Sequence, residues 1–343
     1  MNKLLIISNG HGEDIVAQEI IKTLPENIEV SVLPLVGAGK TFTSPETKLV
    51  GSCTEFPGGG FSIRNPLALL SDIRAGYFEN IKKQWETINS LKGKYDLTVS
   101  IGDFVPLFAS YIIGAPFIFI GVNKTDYYHT YGYSYTFVEK ILLKKAAIVF
   151  TRDQLTADNL KKSNIFAKYA GNPLMDCIGE SALKDAGKYA VGFLPGTRKE
   201  DIPLNIEDFE IIAKKLKTFN PNFVFSIATE EKAPKEFVKK TFADVLYNSQ
   251  IIVGLSGTGN EQAAGLGKPV VAFYGRGSQY NKRFANAQKE LLGEALSLTE
   301  KSKTAGEIWS ILNDHSRYNL MSKFGEERMG KPGAIKEICK EIK

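Results

Sequence analysis

The stretch QIIVGLSGTGNEQAAGLGKPVVAFY, residues 250–274, reads as one complete strand–helix–strand unit. IIVGL is apolar on successive residues, the pattern of a parallel strand covered on both faces rather than of a half-solvated one. Gly257 and Gly259 break that run, a helix starts near Asn260, and the Gly267-Lys268-Pro269 turn leads into VVAFY. Two strands joined through a helix run parallel. Backbone N–H groups at such a helix start form a natural diphosphate site. A tight turn into a packed helix would use the same glycines, so the motif is weak alone.

The same alternation extends in both directions. KLLIIS, EVSVLPLV, LTVSI, PFIFIGV and AAIVFT come before, each followed by a longer helical pattern, and YAVGFLP and NFVFSIA resume the series closer in. Cys177 to Lys188, CIGESALKDAGK, is polar, glycine-containing and strandless, and it divides the series. The pattern predicts an α/β protein of two Rossmann-like, doubly wound domains facing across a cleft, residues 1–178 and 179–343, with the last helix able to pack back on the N-terminal domain. A length of 343 residues and 43% hydrophobic composition suit two full cores.

Composition excludes several classes. Of the net charge of +5, residues 1–178 hold only +1, from 18 Lys and Arg against 17 Asp and Glu, so neither half carries the basic field of a nucleic-acid binder. Cys53, Cys177 and Cys339 lack CxxC spacing and fit neither a disulfide framework nor a zinc site. LLIIS is too short for a signal h-region or a membrane span, so the expected location is cytoplasmic, with any membrane contact peripheral, at the inner face of the plasma membrane.

Ligands of doubly wound sheets sit outside the carboxyl ends of the strands. PGTRKED, Pro195 to Asp201, closes the first strand of the second half. Gly196 admits backbone close to a ligand, and Thr197 and Arg198 offer a hydroxyl and a planar fork for phosphate oxygens. An ordinary strand-to-helix turn with solvated charges is the plainer account. Neither this loop nor residues 255–269 has the spacing GxxxxGK[ST], so triphosphate hydrolysis has no support. The first loop, SNGHGED (Ser8 to Asp14), lacks GxGxxG, which speaks against a dehydrogenase.

FLPGTRKED, LSGTGNEQAAGLGKPVVAFY, YAGNPLMD (Tyr169 to Asp176) and SNGHGED together resemble, in order and over most of the chain, the motifs of lipid-A-disaccharide synthase and its synthase-related relatives. The resemblance implies a GT-B fold, a nucleotide-diphosphate sugar donor, UDP-linked, on the C-terminal domain, a lipid-linked or glycolipid acceptor on the N-terminal domain, inversion at the anomeric carbon, and no cofactor or metal. Carried over by position, Gly196, Thr197, Arg198, Ser256, Gly257 and Thr258 would contact the donor diphosphate. Where relatives place a glutamate on the ribose, this chain has Gln262 with Glu261 beside it, and one of the two would serve. Between FSIA and QIIVG there is room for little more than a helix, where relatives fit another strand and a base-contacting loop.

Inverting transfer needs a general base. Asp103, in VSIGDFVPLF at the end of a strand, occupies the neighbourhood of the family's catalytic aspartate and is the first candidate; a helix N-cap is its plainer role. His11 is the second candidate. Gly10, Gly12, Glu13 and Asp14 of the first loop, Asn123 after PFIFIGV, and Phe61 are assigned to the acceptor. The carboxylates have no metal-ligand spacing.

Residues 58–85, GGGFSIRNPLALLSDIRAGYFENIKKQW, place Leu70, Ile73, Tyr77, Ile81 and Trp85 at helical spacing with basic residues nearby. A helix packing one stripe on the core explains the stripe. A lipid-tail groove or interfacial patch would explain in addition the glycine tract and Phe56, Phe61, Leu67 and Leu69. DYYHTYGYSYTF, residues 126–137, has five tyrosines that suit sugar stacking or plain packing equally. The resulting expectation is an inverting glycosyltransferase with a nucleotide-diphosphate sugar and a lipid-type acceptor as its partners. The alternatives are a non-hydrolysing sugar-nucleotide epimerase and a noncatalytic nucleotide-sugar or lipid-binding protein.

Overall fold

The computed structural model describes residues 2–36, 39, 41–42, 47–51, 77–128, 134–181 and 187–342. By contacts the chain forms two compact units, the first made of Met1–Asp126, Tyr133–Cys177 and Pro332–Lys343, the second of Ile178–Lys331 with Tyr127–Gly132.

In the first unit, β1 (Lys3–Ser8), α1 (His11–Thr23), β2 (Glu29–Pro34), β3 (Lys48–Leu49), α2 (Tyr77–Ser90), β4 (Leu97–Ile101), α3 (Phe104–Ile113), β5 (Phe117–Gly121), α4 (Phe137–Leu143), β6 (Ile148–Thr151), α5 (Gln154–Lys162) and β7 (Ala167–Lys168) follow one another. Their strands form a parallel sheet in the order β3-β2-β1-β4-β5-β6-β7. Both faces of β1 are buried because successive side chains feed opposite cores. Leu4 and Ile6 join Val16 and Ile20 of α1, while Leu5 and Ile7 join Leu33, Ile88 and Ile113.

The second unit contains β8 (Ala190–Leu194), α6 (Ile202–Phe219), β9 (Val224–Ile227), β10 (Phe237–Lys239), α7 (Phe242–Tyr247), β11 (Ile251–Gly254), α8 (Thr258–Gly265), β12 (Val270–Ala272), α9 (Lys282–Leu292), β13 (Leu296–Leu298), α10 (Thr304–Asn313) and α11 (His315–Met329). Its sheet is parallel, in the order β10-β9-β8-β11-β12-β13. Each sheet therefore grows outward in both directions from its first strand. This creates a topological switch point between β1 and β4 and another between β8 and β11, the places where such sheets take ligands.

Two sequence expectations need correction. The segment between FSIA and QIIVG holds more than a helix: β10 pairs with β9 from Phe237 to Lys239 before α7 begins. A strand of three residues borrows its order from its neighbour and leaves little periodic signal. The described part of the stripe on α2 does not face the core. Ile81 and Trp85 are exposed, whereas Asn80, Ile88 and Leu91 are buried and Gln84 donates to the Leu35 carbonyl at 2.5 Å. Leu70, Ile73, the Tyr77 side chain, Phe61 and the glycine tract lie outside the described residues. Among the five tyrosines, Tyr135 is a core residue, edge-on to Phe119 at 6.1 Å.

The chain returns to the first unit in α12 (Ala334–Cys339), which buries Ile335 and Ile338 in the core that contains α1. Its N-cap, Gly333, has no side chain to satisfy the first N–H groups. Asp176 of YAGNPLMD supplies that acceptor from outside, taking the N–H of Gly333 and, at 2.9 Å, that of Ile335. Removing a capping carboxylate costs about 1–2 kcal/mol. Asp176→Ala should therefore lower unfolding stability by about that amount, and Asp176→Asn by less. Urea titrations of the three proteins measure both effects.

Candidate functional site

At the switch point of the first unit, β1 ends at Ser8 and β4 at Ile101, and the two following turns carry the polar groups. Gly10 and Gly102 both have positive φ, 140° and 127°. A Cβ at Gly102 would stand 3.2 Å from Cγ of Glu13, so this glycine lets the Glu13 side chain lie against the β4–α3 turn. Glu13 is buried and accepts from Asn123 Nδ2. Burial pushes its pKa up to about 7, and the neighbouring charges of Asp103 and Asp14 add to the rise against hydrogen bonds from its own backbone N–H and Asn123.

Asp103 does cap α3, accepting from the Val105 N–H at 3.1 Å, and it also accepts from Asn9 Nδ2 at 2.9 Å. Both bonds fall on Oδ1. Burial raises its pKa as well. Capping and proton transfer are compatible here, because Oδ2 takes part in neither bond. Asp14 turns inward to accept from Ser8 Oγ at 2.5 Å, and Gly12 borders open space. His11 opens α1, and its side chain lies outside the described residues, as does all of Phe61. The structure thus brings Glu13, Asp103, Asn123 and Asn9 together. Among the described residues no three His, Cys, Asp or Glu are arranged to hold a metal ion.

At the switch point of the second unit, Gly196, with φ 88°, follows β8, and Ser256 follows β11 by two residues. α8 starts at Thr258 with Gly257 as an N-cap that makes no side-chain capping bond. The loop is held from below by a buried amide network. Gln288 donates to the carbonyls of Gly257 at 2.8 Å and Ser256 at 3.2 Å, and accepts from Tyr280 Oη at 2.6 Å and Asn260 Nδ2 at 2.7 Å. Pinning the carbonyls inward fixes the turn that leads into the N-terminus of α8. At Gly254 a Cβ would fall 1.7 Å from Asn260 Oδ1, so that glycine makes room for the network.

Thr197 and Arg198 are exposed beside this loop. They are clamped by Ser278 and Gln279, which belong to none of the motifs above. Gln279 Oε1 accepts from the N–H groups of Thr197 and Arg198 at 3.3 and 3.4 Å, and Arg198 donates to Ser278 Oγ at 2.7 Å. Buried Asp201 anchors that segment by accepting from the backbone of Ser278 and Gln279. The signal was GRG after the strand VVAFY, a third strand-ending glycine turn. Glu261 and Gln262 lie buried inside α8, one turn from its start.

A cavity of about 320 Å³ opens at the same strand ends, lined by Leu194, Gly196, Thr197, Thr229, Phe242 and Ser256. It is large enough for a small ligand. A larger one, of about 640 Å³, lies in the first unit against the last turn of α1 and the start of β2. It sits at the amino ends of the strands, away from the switch point, and carries none of the groups described above.

No protein-family model and no curated protein matches this sequence. Solved structures do match. S. aureus MnaA in a co-structure with UDP is 17% identical with a TM-score of 0.62, over 100% of this chain and 96% of that one. CalG4, the calicheamicin glycosyltransferase, is 11% identical with a TM-score of 0.65, over 100% and 97%. The UDP-GlcNAc 2-epimerase from Neisseria meningitidis bound to UDP-GlcNAc is 16% identical with a TM-score of 0.57, over 99% of both chains. At such identities the likeness is one of fold: the chain has the GT-B fold, built from two parallel-sheet, Rossmann-like α/β domains.

Proposed function

We propose that this chain is an enzyme acting on a nucleotide-diphosphate sugar, with a UDP-sugar as donor, and that it transfers the sugar with inversion to a lipid-linked acceptor. The observation that carries this reading is the contrast between the two switch points. The second unit offers an arginine, hydroxyls and an uncapped helix start, the chemistry of diphosphate oxygens. The first offers a buried carboxylate, Glu13, and a half-buried one, Asp103, both with raised proton affinity, the chemistry of a hydroxyl that must lose its proton. In the transfer, the acceptor oxygen bonds to the anomeric carbon as the bond from that carbon to the diphosphate oxygen breaks. In the first unit Asp103 has the chemistry to take the acceptor proton, and in the second Arg198 and the start of α8 have the chemistry to take the charge of the departing diphosphate. Glu13, near half-protonated at neutral pH, would hold a substrate hydroxyl or relay the proton.

Epimerisation of the nucleotide sugar is the second reading. It is favoured by the Glu13–Asp103 pair, two neighbouring carboxyls of raised proton affinity that could remove and return a proton at a sugar carbon, and by fold neighbours named as 2-epimerases. Incubation with UDP-GlcNAc in deuterated water separates the readings. Epimerisation breaks a C–H bond and brings deuterium into the sugar without an acceptor. Transfer leaves the sugar unlabelled and needs the acceptor. For the donor site, Arg198→Ala should weaken UDP binding roughly 10- to 150-fold, the scale of a charge-assisted hydrogen bond. Equal affinities by calorimetry would remove Arg198 from the site.

A further inference from the structure

The helices over one face of the first sheet carry apolar side chains outward as well as inward. α3, FVPLFASYII, contains no charged residue, and while it buries Leu107, Ala109 and Ile113, Phe104 and Tyr111 remain exposed. α4 buries Leu142 and Leu143 yet exposes Val138, Ile141 and Phe137, the last at 78%. The inward residues Leu107, Leu142 and Leu143 share one core, so α3 and α4 lie side by side. On the other flank, half-exposed Trp85 of α2 stacks on Phe108 at 6.2 Å, which stacks on Phe104 at 5.6 Å. Scattered exposed apolar residues need no explanation, but neighbouring helices that each turn apolar side chains outward offer an interaction surface.

Charge identifies the occupant. On α2, Lys82 and Lys83 are paired with Glu86 and Glu79 and leave little net charge. At the end of α4 stand Lys140, Lys144 and Lys145, and the one carboxylate of that helix, Glu139, is buried against Lys124. Aromatic and aliphatic side chains beside lysines that form no ion pair among the described residues match the interface of an anionic bilayer. A two-fold contact through the same face would bring lysine rims toward one another. Among the described residues no helix is long and apolar enough to cross a membrane, so the contact would be peripheral.

We propose that the outer face of α2, α3 and α4 docks this protein on an anionic lipid surface, with Phe137, Val138, Ile141 and Trp85 entering the interface and the α4 lysines meeting headgroup phosphates. The surface begins at Phe104, the residue after Asp103, so docking would present lipid-borne hydroxyls next to that carboxylate. This last step rests on the transfer reading; the docking does not.

Sedimentation of the full chain with vesicles of equal parts phosphatidylglycerol and phosphatidylcholine tests it, with pure phosphatidylcholine as the control. The parent should bind the anionic vesicles, more weakly at high salt. Phe137→Ser with Val138→Ser should lose about tenfold or more in vesicle affinity with Tm unchanged, since both side chains are already solvated. Lys140, Lys144 and Lys145 changed together to Glu should lose binding to the anionic vesicles specifically. Absence of binding by the parent, or unchanged binding by both variants, overturns the proposal. So does a parent that is dimeric and becomes monomeric in the serine variant, because the face then belongs to a second copy. Failure of sugar transfer with vesicle binding intact would refute the enzymatic reading alone.

Discussion

Asp103→Asn should abolish nearly all turnover, by roughly 10²–10⁴-fold, the usual contribution of general-base catalysis, while UDP affinity and Tm stay close to the parent's. Asparagine keeps the oxygen that accepts from Val105, so α3 remains capped, and it loses only the ability to take a proton. Steady-state kinetics alongside thermal unfolding separates the outcomes. A drop in stability with proportionate loss of activity would make Asp103 a cap and nothing more. Full activity would move the base to Glu13 or His11.

Glu13 should make stability fall with pH. Its carboxyl titrates near 7 in the folded chain against an ordinary 4.5, so between those values the folded state keeps a proton that the unfolded state releases. The stabilisation is complete below pH 4.5 and is lost as pH rises through 7, by about 3 kcal/mol in all. Glu13→Gln, permanently neutral, should remove that part of the slope. Urea unfolding at pH 5 and pH 8 should then show a difference between the two pH values roughly 2–3 kcal/mol smaller in the variant than in the parent. Identical pH dependence would mean that Glu13 is solvated and ionised. The same substitution should also delete any limb of the pH–rate profile near 7.

Much of this architecture is legible in the sequence because the strands that flank the switch points are long apolar runs. KLLIIS, LTVSI, YAVGFLP and QIIVGLS cannot be solvated on either face, and each ends in a glycine turn. β3, β7, β10 and β13, two or three residues each, were not legible, since their order comes from the strand beside them. α2 was misleading for a different reason. Its apolar stripe suggests an inward face, but a carbonyl at the end of β2 needs a donor, and Gln84 turns inward to provide it. At the candidate site the sequence identifies the glycine turns and Asp103. It cannot show that Glu13 is the more strongly perturbed carboxyl, because that depends on its burial against the turn at Gly102, some 90 residues away. The contact between Asp201 and Gln279 is invisible in the sequence for the same reason, since only folding joins them across 78 positions.

If the loops after β8 and β11 hold a nucleotide diphosphate, as proposed, amide spectra of the isotope-labelled protein titrated with UDP-GlcNAc should show it. The backbone signals of Gly196, Arg198, Gly257 and Thr258 should shift saturably and together. In the Arg198→Ala variant the same signals should shift at higher ligand concentration. Signals at these loops that stay fixed while others move, or no shift anywhere at millimolar ligand, would contradict it.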